Sequence, residues 1–318
     1  MMRISSNLSG ALFMIAGMAS FSINDAIVKK LTEEIGVGQI MFVRGLIVMF
    51  IALIIAWRAG VFSHMRAVLE PRVLIRSSCE LVAAIAYLEA LKAMPLANAA
   101  AILQCLPLAV TLGAALFMGE PVGWRRWSAI IAGFIGVMII IKPGPAGFES
   151  GALYVVIAML FATARDLLTK AIRTDVPAIV ITLSTSALLT IGGAGLGTIE
   201  QDWDLMRWPL VGLLVLAAGF LLIGYQFIVF AVRKADISYV APFRYTGLLW
   251  STILGMIMFS TYPGVNVLIG GAIVVGAGLY SFYRERQKGI EPLSETTQPG
   301  GPQGGGLLAR AEEEVLRD

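Results

Sequence analysis

Two short stretches decide the fold: NDAIVK, residues 24–29, and RDLLTK, residues 165–170. Each carries an aspartate followed four residues later by a lysine, and each lies within an apolar run. The aspartates, Asp25 and Asp166, are 141 residues apart. Because a spacing of four residues places both side chains on one helix face, the recurrence predicts an internal repeat with a charged pair inside each half. The matching lysines are Lys29 and Lys170.

The composition indicates a membrane protein. Of the 318 residues, 58% are hydrophobic and only 14% are charged, and the mean hydropathy is +0.81. A water-soluble core does not need so much apolar sequence. The formal net charge of +3 is too small to indicate a nucleic-acid partner. We therefore expect a polytopic protein whose partners are the lipid bilayer and a small molecule.

Ten apolar runs are long enough to cross a bilayer. With the N-terminus inside, 14 Lys and Arg residues, Arg76 among them, fall on the inner side and 5 on the outer side. The positive-inside rule therefore predicts that both termini are cytoplasmic. The ten predicted spans cover residues 8–30, 38–57, 73–93, 97–118, 124–141, 150–170, 178–199, 208–232, 238–260 and 265–283.

The repeat has a direction. With five helices in each half, the halves must have opposite orientations in the membrane. Asp25 then lies near the outer end of helix 1 and Asp166 near the inner end of helix 6, as an inverted-topology duplication predicts. The predicted fold is all-α, with ten transmembrane helices as two inverted five-helix repeats. The repeats cover residues 1–143 and 144–286, and the Gly- and Pro-rich residues 287–318 form a disordered cytoplasmic tail.

The ends of the two halves carry a family resemblance. The segment GEPVGWRRWSAIIAGFIGVMIII, residues 119–141, resembles the Gly-Glu-Pro turn and glycine-rich fifth helix of the EamA domain. Residues 10–285 as a whole resemble ten-helix members of the drug/metabolite transporter superfamily. The second half has Thr261 where the first has Glu120, so we interpret Glu120 as a turn residue. The resemblance implies a bacterial inner-membrane protein that moves a small metabolite by alternating access through a cavity between the repeats.

The resemblance leaves the substrate open. The segments FSINDAIVKK (21–30), GQIMFVRGL (38–46) and APFRYTGLLW (241–250) are most similar to bacterial riboflavin-uptake or S-adenosylmethionine-uptake relatives. Amino-acid export is the alternative among transporters, and a lipid or lipid-carrier flippase is the alternative function. The sequence has no HExxH motif, no phosphate-binding glycine loop and a single histidine, so we expect neither an enzyme nor a metal site or cofactor.

Ionisable residues inside apolar runs are the candidate site, because each needs a partner or a purpose. Once the two Asp–Lys pairs are set aside, arginines outnumber carboxylates, which predicts an acidic or electron-rich planar substrate. Arg44 can instead close on Asp25, and Arg165 or Arg244 can close on Asp166 or Glu80. Aromatic and amide side chains near Arg244 suit a flat ligand. The predicted substrate-binding residues are Arg44, Glu80, Tyr87, Gln104, Tyr225, Gln226, Arg244, Tyr245 and Trp250.

Other residues are assigned to motion and coupling. Pro107 and Pro242 each remove a backbone hydrogen bond in counterpart helices and are the predicted hinges. Glu80 could carry a coupling proton or serve as a fixed partner of Arg244. The glycines of the fifth and tenth helices are predicted to allow close packing, with dimer contact as the alternative, so we expect a monomer or weak dimer. The predicted structural or gating charges are Asp25, Lys29, Arg165, Asp166 and Lys170.

Overall fold

A computed structural model describes residues 6–58, 60, 65, 67–120, 122–142, 150–172, 176–201, 203–204, 206–235 and 237–287. These residues form helices, with no β-strand among them. The helices are α1 (Ser6–Leu31), α2 (Val37–Arg58), α3 (Pro71–Ala93), α4 (Leu96–Leu103), α5 (Leu106–Phe117), α6 (Trp124–Ile141), α7 (Ser150–Ala171), α8 (Ala178–Glu200), α9 (Trp208–Lys234), α10 (Ile237–Val240), α11 (Thr246–Phe259) and α12 (Val265–Gln287). The predicted tail lies outside the described residues, apart from Gln287.

The ten predicted spans are confirmed, and two of them are interrupted. The fourth span is divided into α4 and α5 at Gln104 and Cys105. The ninth is divided by a 3₁₀ segment, Ala241–Tyr245, between α10 and α11. Pro107 lies in the first turn of α5 and Pro242 in that of the 3₁₀ segment. A proline explains each interruption, because its backbone nitrogen carries no hydrogen and cannot donate the hydrogen bond that would continue the preceding helix.

Eight spans of the described chain are long and apolar enough to cross a membrane by length and composition. The fourth span counts as one of them, Leu96–Phe117. Helix α3 is long enough at 23 residues, but it carries five charged side chains. The ninth span has no continuous α-helix of sufficient length, because the 3₁₀ segment interrupts it. The protein is an all-α, multi-pass membrane protein.

The repeat is visible in the helix boundaries. Helices α2 and α8 begin at Val37 and Ala178, and α6 and α12 begin at Trp124 and Val265, so both offsets are 141 residues. Helix α4 at Leu96 has the same offset to α10. The two halves therefore keep one register through most of their length.

The predicted Gly-Glu-Pro turn has a counterpart of the same geometry. Gly119 and Ser260, at equivalent positions, both have positive φ angles, 68° and 51°. The next amide in each half, Glu120 or Thr261, donates to a carbonyl six residues back, at 3.3 and 3.1 Å respectively. This bond reaches one residue further back than the closing bond of a Schellman C-cap, and both halves share it. The backbone role of Glu120 as a turn residue is therefore confirmed.

The packing obeys the same pseudo-two-fold symmetry. Helix α1 packs against α9 as α7 packs against α3, and the repeat operation exchanges these two interfaces. Two interfaces map onto themselves and lie on the symmetry axis: α2 with α8, and α6 with α12. The two halves are thus interleaved, and each helix that bears a repeated Asp packs mainly on the other half.

Glycines allow the helices on the axis to approach closely, as predicted. A Cβ at Gly270 of α12 would lie 2.5 Å from the carbonyl oxygen of Gly136 of α6, and a Cβ at Gly136 would lie 2.8 Å from that of Gly270. Both distances are too short for a real carbon atom, so only glycine fits at this crossing.

Candidate substrate-binding cavity

The larger cavity lies between the repeats, where α1 faces the two interrupted spans. We call it the Asp25 cavity. Its volume is about 90 Å³, whereas sites for drug-sized ligands measure roughly 300–1,000 Å³. A metabolite of that size therefore needs the surrounding helices to move apart. The lining residues are Met18, Phe21, Ser22, Asp25, Tyr87, Ala100, Leu103, Gln104, Leu106, Pro107, Ala241, Arg244, Tyr245, Gly247, Ser251 and Phe282.

Asp25 supplies the carboxylate of the cavity. One oxygen accepts a hydrogen bond from the Tyr87 hydroxyl at 2.7 Å, and the other accepts one from the Asn24 amide at 2.9 Å. Asp25 is only 4% exposed and Tyr87 3%. Hydrogen bonds to a buried carboxylate offset part of the cost of removing it from water. The geometry fixes the carboxylate against the wall of the cavity.

Serine hydroxyls continue the polar side of α1. Ser22, one turn before Asp25, lies 3.1 Å from the Ser251 hydroxyl and 3.2 Å from the carbonyl of Gly247. These bonds tie α1 to α11 across the cavity. Phe21 packs edge-on against Tyr225 of α9, with ring centroids 5.0 Å apart.

The interrupted spans supply the opposite charge and an amide. Arg244 lies in the 3₁₀ segment, and Gln104 lies where α4 ends, so both interruptions bring a polar side chain to the cavity. The hydroxyl of Tyr245 rests on Gly278 of α12, where a Cβ would overlap it. This contact fixes the ring of Tyr245 in the wall.

Arg44 lies in a second, smaller cavity between α2, α3 and α8. That cavity has a volume of about 20 Å³, enough for about one water molecule. The Arg44 guanidinium donates to the Asn24 side-chain oxygen at 3.4 Å, and Arg44 is not among the residues that line the Asp25 cavity. The lining positions of α2 and α8 are related by 141 residues: Met41 and Thr182, Arg44 and Thr185, Gly45 and Ser186, Val48 and Leu189.

Glu80 lies in a buried ion cluster instead of a cavity. Arg165 of α7 donates to Glu80 of α3 at 2.7 Å and to its neighbour Asp166 at 2.8 Å. The side chains of Arg165 and Glu80 are fully buried. Of the alternatives left open by the sequence, the geometry favours closure of Arg165 on Glu80.

Arg76 belongs to the same ion cluster, and our reading of the sequence missed this. It was counted among the inner loop cations, but it is 0% exposed on α3. Its guanidinium donates to the Thr169 hydroxyl at 3.2 Å and the Thr185 hydroxyl at 2.6 Å. Within the part of the chain that the structure describes, its Nη2 has no hydrogen-bond partner. The signal was available, since Arg76 lies four residues before Glu80 and so on the same helix face.

The charge balance of the cavity differs from the predicted surplus of arginine. Arg165 and Arg76 lie in the ion cluster, and Arg44 lines the second cavity. The Asp25 cavity is lined by one carboxylate, Asp25, and one guanidinium, Arg244. The residues that line it therefore suit a neutral or zwitterionic ligand better than a polyanion.

In the first half, the lysine of the Asp–Lys motif, Lys29, bonds to backbone carbonyls of another helix and not to Asp25. The Lys29 amine donates to the carbonyls of Leu91 and Met94, at 2.5 and 2.8 Å, at the end of α3. A cation at a helix C-terminus is favourable because the last carbonyls lack helical partners. Lys170 lies in the last turn of α7, but its side chain lies outside the described residues.

Three other predicted site residues do not line the Asp25 cavity, although one of them, Tyr225, packs on the lining residue Phe21. Tyr225, Gln226 and Trp250 are not among the residues that line it. The Tyr225 hydroxyl and the Trp250 indole nitrogen are buried, and neither has a hydrogen-bond partner in the described ranges. Of the predicted substrate-binding residues, the structure brings Tyr87, Gln104, Arg244 and Tyr245 together in one cavity, and their role there stays a prediction. The cavity also contains Asp25 and Pro107, predicted for other roles, and four residues that the sequence did not single out: Ser22, Ser251, Phe21 and Phe282.

Comparisons with known proteins agree on one family. The profile of the EamA-like transporter family matches residues 8–142. A riboflavin transporter of Rhizobium johnstonii is 31% identical over 207 residues, which cover 65% of this chain and 68% of that protein. An S-adenosylmethionine uptake transporter of Rickettsia felis is 29% identical over 194 residues, covering 61% and 65%. One crystal structure superposes with a TM-score of 0.57 at 18% identity, covering 88% of this chain and 98% of that chain, which supports the fold alone.

Proposed function

Because the chain belongs to the EamA-like transporter family, we propose that it carries a small planar metabolite across the bacterial inner membrane by alternating access. It is a small-molecule transporter and not an enzyme. The observation that carries the finer proposal is the lining of the Asp25 cavity. Four aromatic rings there surround one carboxylate, one guanidinium and one amide: Phe21, Tyr87, Tyr245, Phe282, Asp25, Arg244 and Gln104.

Riboflavin is the first candidate substrate. A fused ring system carries hydrogen-bond donors and acceptors on its edge, and Gln104, Asp25 and Arg244 offer complementary groups. Aromatic side chains gain from stacking on a flat ligand. The name of the Rhizobium relative supports this choice. Uptake is the proposed direction, because the Rickettsia relative is named an uptake transporter.

S-adenosylmethionine is the second candidate. The presence of both a carboxylate, Asp25, and a guanidinium, Arg244, in one cavity favours it. A zwitterion with an additional positive charge would place its cationic groups near Asp25 and its carboxylate near Arg244. The name of the Rickettsia relative supports the same choice. A flippase would need an opening to the bilayer between helices for lipid tails, and lipid headgroups are therefore included in the test below.

We propose that both termini lie in the cytoplasm, that the repeats cover residues 1–143 and 144–286, and that residues 287–318 form a tail. The orientation is supported by the excess of Lys and Arg residues on the proposed inner side of the membrane. Arg76 and Arg126 are at most 3% exposed and so cannot act as loop cations. Without them, 12 of the 14 inner cations remain against 5 outer ones, and the positive-inside rule still favours this orientation.

The test is the thermal stability of the purified protein with a ligand panel. A compound that binds only the folded state raises the melting temperature by mass action. The panel contains riboflavin, flavin mononucleotide, S-adenosylmethionine, acidic and zwitterionic amino acids, and lipid headgroups. Flavin mononucleotide is the matched control for riboflavin, because it has the same rings and an added phosphate.

Riboflavin is expected to raise the melting temperature more than flavin mononucleotide does. Arg244→Gln and Asp25→Asn should abolish the shift, whereas Arg233→Gln, at an exposed position of α9, should keep it. A shift only with S-adenosylmethionine, lost in Asp25→Asn, would select the second candidate. Shifts only with lipid headgroups would favour a flippase, and no shift with any metabolite would contradict the proposal.

A further inference from the structure

A short chain of hydrogen bonds connects Arg44 with the carboxylate of the Asp25 cavity. The Arg44 guanidinium donates to the Asn24 side-chain oxygen at 3.4 Å, and the Asn24 amide nitrogen donates to Asp25 at 2.9 Å. Asn24 is 3% exposed and Asp25 4%, and charges act more strongly on each other away from water. The chain therefore leads from a guanidinium that lines the smaller cavity to the carboxylate that lines the larger one.

The amide of Asn24 can be oriented in only one way between these two groups. A guanidinium only donates hydrogen bonds, and a carboxylate only accepts them. Arg44 therefore requires the amide oxygen, which leaves the amide nitrogen for Asp25. In this orientation Asn24 holds one carboxylate oxygen, while the Tyr87 hydroxyl holds the other at 2.7 Å.

The charge of Arg44 has its counterpart in Asp25. Among the described residues Arg44 forms no ion pair, and the negative charge of Asp25 acts on its guanidinium. The lysine of the same motif does not take this role, since Lys29 bonds to the end of α3. A guanidinium and a carboxylate inside the protein stabilise each other even when an amide lies between them.

The second half balances its aspartate in a different way. Addition of 141 to the position of Asn24 gives Arg165. Arg165 bonds directly to Asp166 at 2.8 Å, and Asp166 lines neither cavity. An asparagine at the equivalent position of the first half keeps the cation, Arg44, one side chain further away. Asp25 is thereby compensated and still lines a cavity.

We infer that Arg44 determines the charge selectivity of the Asp25 cavity without lining it, and that Asn24 is the positioning residue through which it acts. Because Arg44 balances Asp25 from behind, the carboxylate does not require a cation in the ligand. A metabolite without net charge is then favoured over one with an additional positive charge, whereas the same carboxylate without Arg44 would favour the cation. The inference rests on the proposed function and narrows its substrate class.

Two ligands that differ by one charge test the inference. S-adenosylmethionine and S-adenosylhomocysteine share every group except the methyl group on sulfur, which gives the former one more positive charge. Their dissociation constants are obtained from the melting temperature against ligand concentration, for the parent chain, Arg44→Gln and Arg44→Lys. Arg58→Gln, exposed at the end of the same helix α2, is the matched control.

Arg44→Gln should shift the ratio of the two dissociation constants by about tenfold in favour of S-adenosylmethionine, as removal of one charge near a buried carboxylate predicts. Arg44→Lys keeps the charge and should stay close to the parent, and Arg58→Gln should leave the ratio unchanged. A merely structural role of Arg44 would weaken the binding of both compounds alike. An unchanged ratio in Arg44→Gln would therefore overturn the inference.

The melting temperature without ligand is a second, independent readout. Arg44→Gln should lower it, and Asp25→Asn in the same chain should restore much of the loss, because no uncompensated carboxylate then remains. If Arg44→Gln alone does not fold, Asn24→Leu takes its place, since it breaks the chain of hydrogen bonds and keeps both charges. Asn24→Leu should cost more in the parent than beside Asp25→Asn. Losses that simply add would overturn the inference.

The two readouts separate the inference from the proposed function. If both adenosyl compounds bind and their ratio stays constant, the proposed function stands and the inference fails. If neither they nor riboflavin bind while the substitutions at Arg44 and Asp25 still compensate each other, the substrate assignment fails and the role of Arg44 stands. If only riboflavin binds, the melting temperatures without ligand decide.

Discussion

At the scale of single residues, Lys29 connects two helices through backbone carbonyls. Its amine donates to Leu91 and Met94 at the end of α3, while its own backbone lies in α1. The amine also lies over the ring of Phe259, 5.5 Å from the ring centroid. This contact explains why a lysine is tolerated near the end of a membrane span, since the charge has carbonyl partners at a helix terminus.

Lys29→Met should destabilise the protein. The substitution keeps the length and apolar stem but leaves two carbonyls without their donor, which should cost about 1.5–3 kcal/mol. The measurement is the unfolding free energy in detergent. Lys30→Met is the matched control, because the neighbouring lysine is exposed and pairs with Glu33 at the surface, where ion pairs contribute little. Equal effects of both substitutions would contradict the role of Lys29.

Glu80 illustrates a buried charge with a structural partner. The sequence left open that Glu80 carries a coupling proton or pairs with an arginine. In the structure, Arg165 donates to Glu80 at 2.7 Å with both side chains fully buried. Arg165 is therefore a fixed partner of Glu80, and removal of either side chain would leave the other buried charge without that partner.

Glu80→Gln should therefore lower stability without altering the pH profile of transport. Removal of one member of a buried pair typically costs about 3–5 kcal/mol. The pH dependence of ligand uptake is measured in proteoliposomes, and the melting temperature is measured beside it. Glu33→Gln, in the exposed turn that follows α1, is the control. Loss of the pH dependence in Glu80→Gln alone would assign the proton to Glu80.

At the scale of helices, glycine determines how closely α6 and α12 can approach. Gly136 and Gly270 face each other's carbonyls at distances that leave no room for a side chain. Gly276 lies on the same helix α12, and nothing would lie within 4 Å of a Cβ there. The two positions of α12 thus separate the effect of packing from that of helix propensity.

Gly270→Ala should separate α6 from α12 and destabilise the protein by about 1–3 kcal/mol, the usual cost of an overpacked contact. Gly276→Ala should be neutral or slightly stabilising, because alanine favours helix over glycine by about 1 kcal/mol. Both are compared by thermal unfolding. The packing argument would fail if Gly270→Ala were as stable as Gly276→Ala.

The helix boundaries could be predicted well because apolar run length and short loops determine them. The interruptions were anticipated only through Pro107 and Pro242, since sequence does not show whether a proline bends a helix or replaces part of it by a 3₁₀ segment. In both interrupted spans the break brings a polar residue, Gln104 or Arg244, to the cavity. Whether the prolines act as hinges remains a prediction.

The candidate site was predicted less completely, for a physical reason. Charges inside the membrane are visible in sequence, but their partners depend on which helices pack together. Because α3 packs against α7, Arg165 and Arg76 lie in a buried cluster with Glu80. They therefore do not contribute the positive charge that we expected in the cavity. Ser22 could have been found, because it lies three residues before Asp25 on the same face of α1.

At the scale of the whole molecule, one symmetry relates the fold to the proposed function. An offset of 141 residues relates three pairs of helix starts, the C-cap turns and the two aspartates. The interfaces α1–α9 and α3–α7 are equivalent in fold but unequal in chemistry. The cavity of about 90 Å³ is small for a metabolite, so a ligand of that size needs the helices around the cavity to move apart.

The most direct test of alternating access is counterflow in proteoliposomes. Vesicles are loaded with unlabelled riboflavin or S-adenosylmethionine, and entry of the same labelled compound is followed without any ion gradient. A carrier that exposes one site to each side in turn should take up label faster and overshoot when the vesicles are loaded, and Asp25→Asn should abolish the effect. Label entry that is equal in loaded and empty vesicles, or that persists unchanged in Asp25→Asn, would contradict the account.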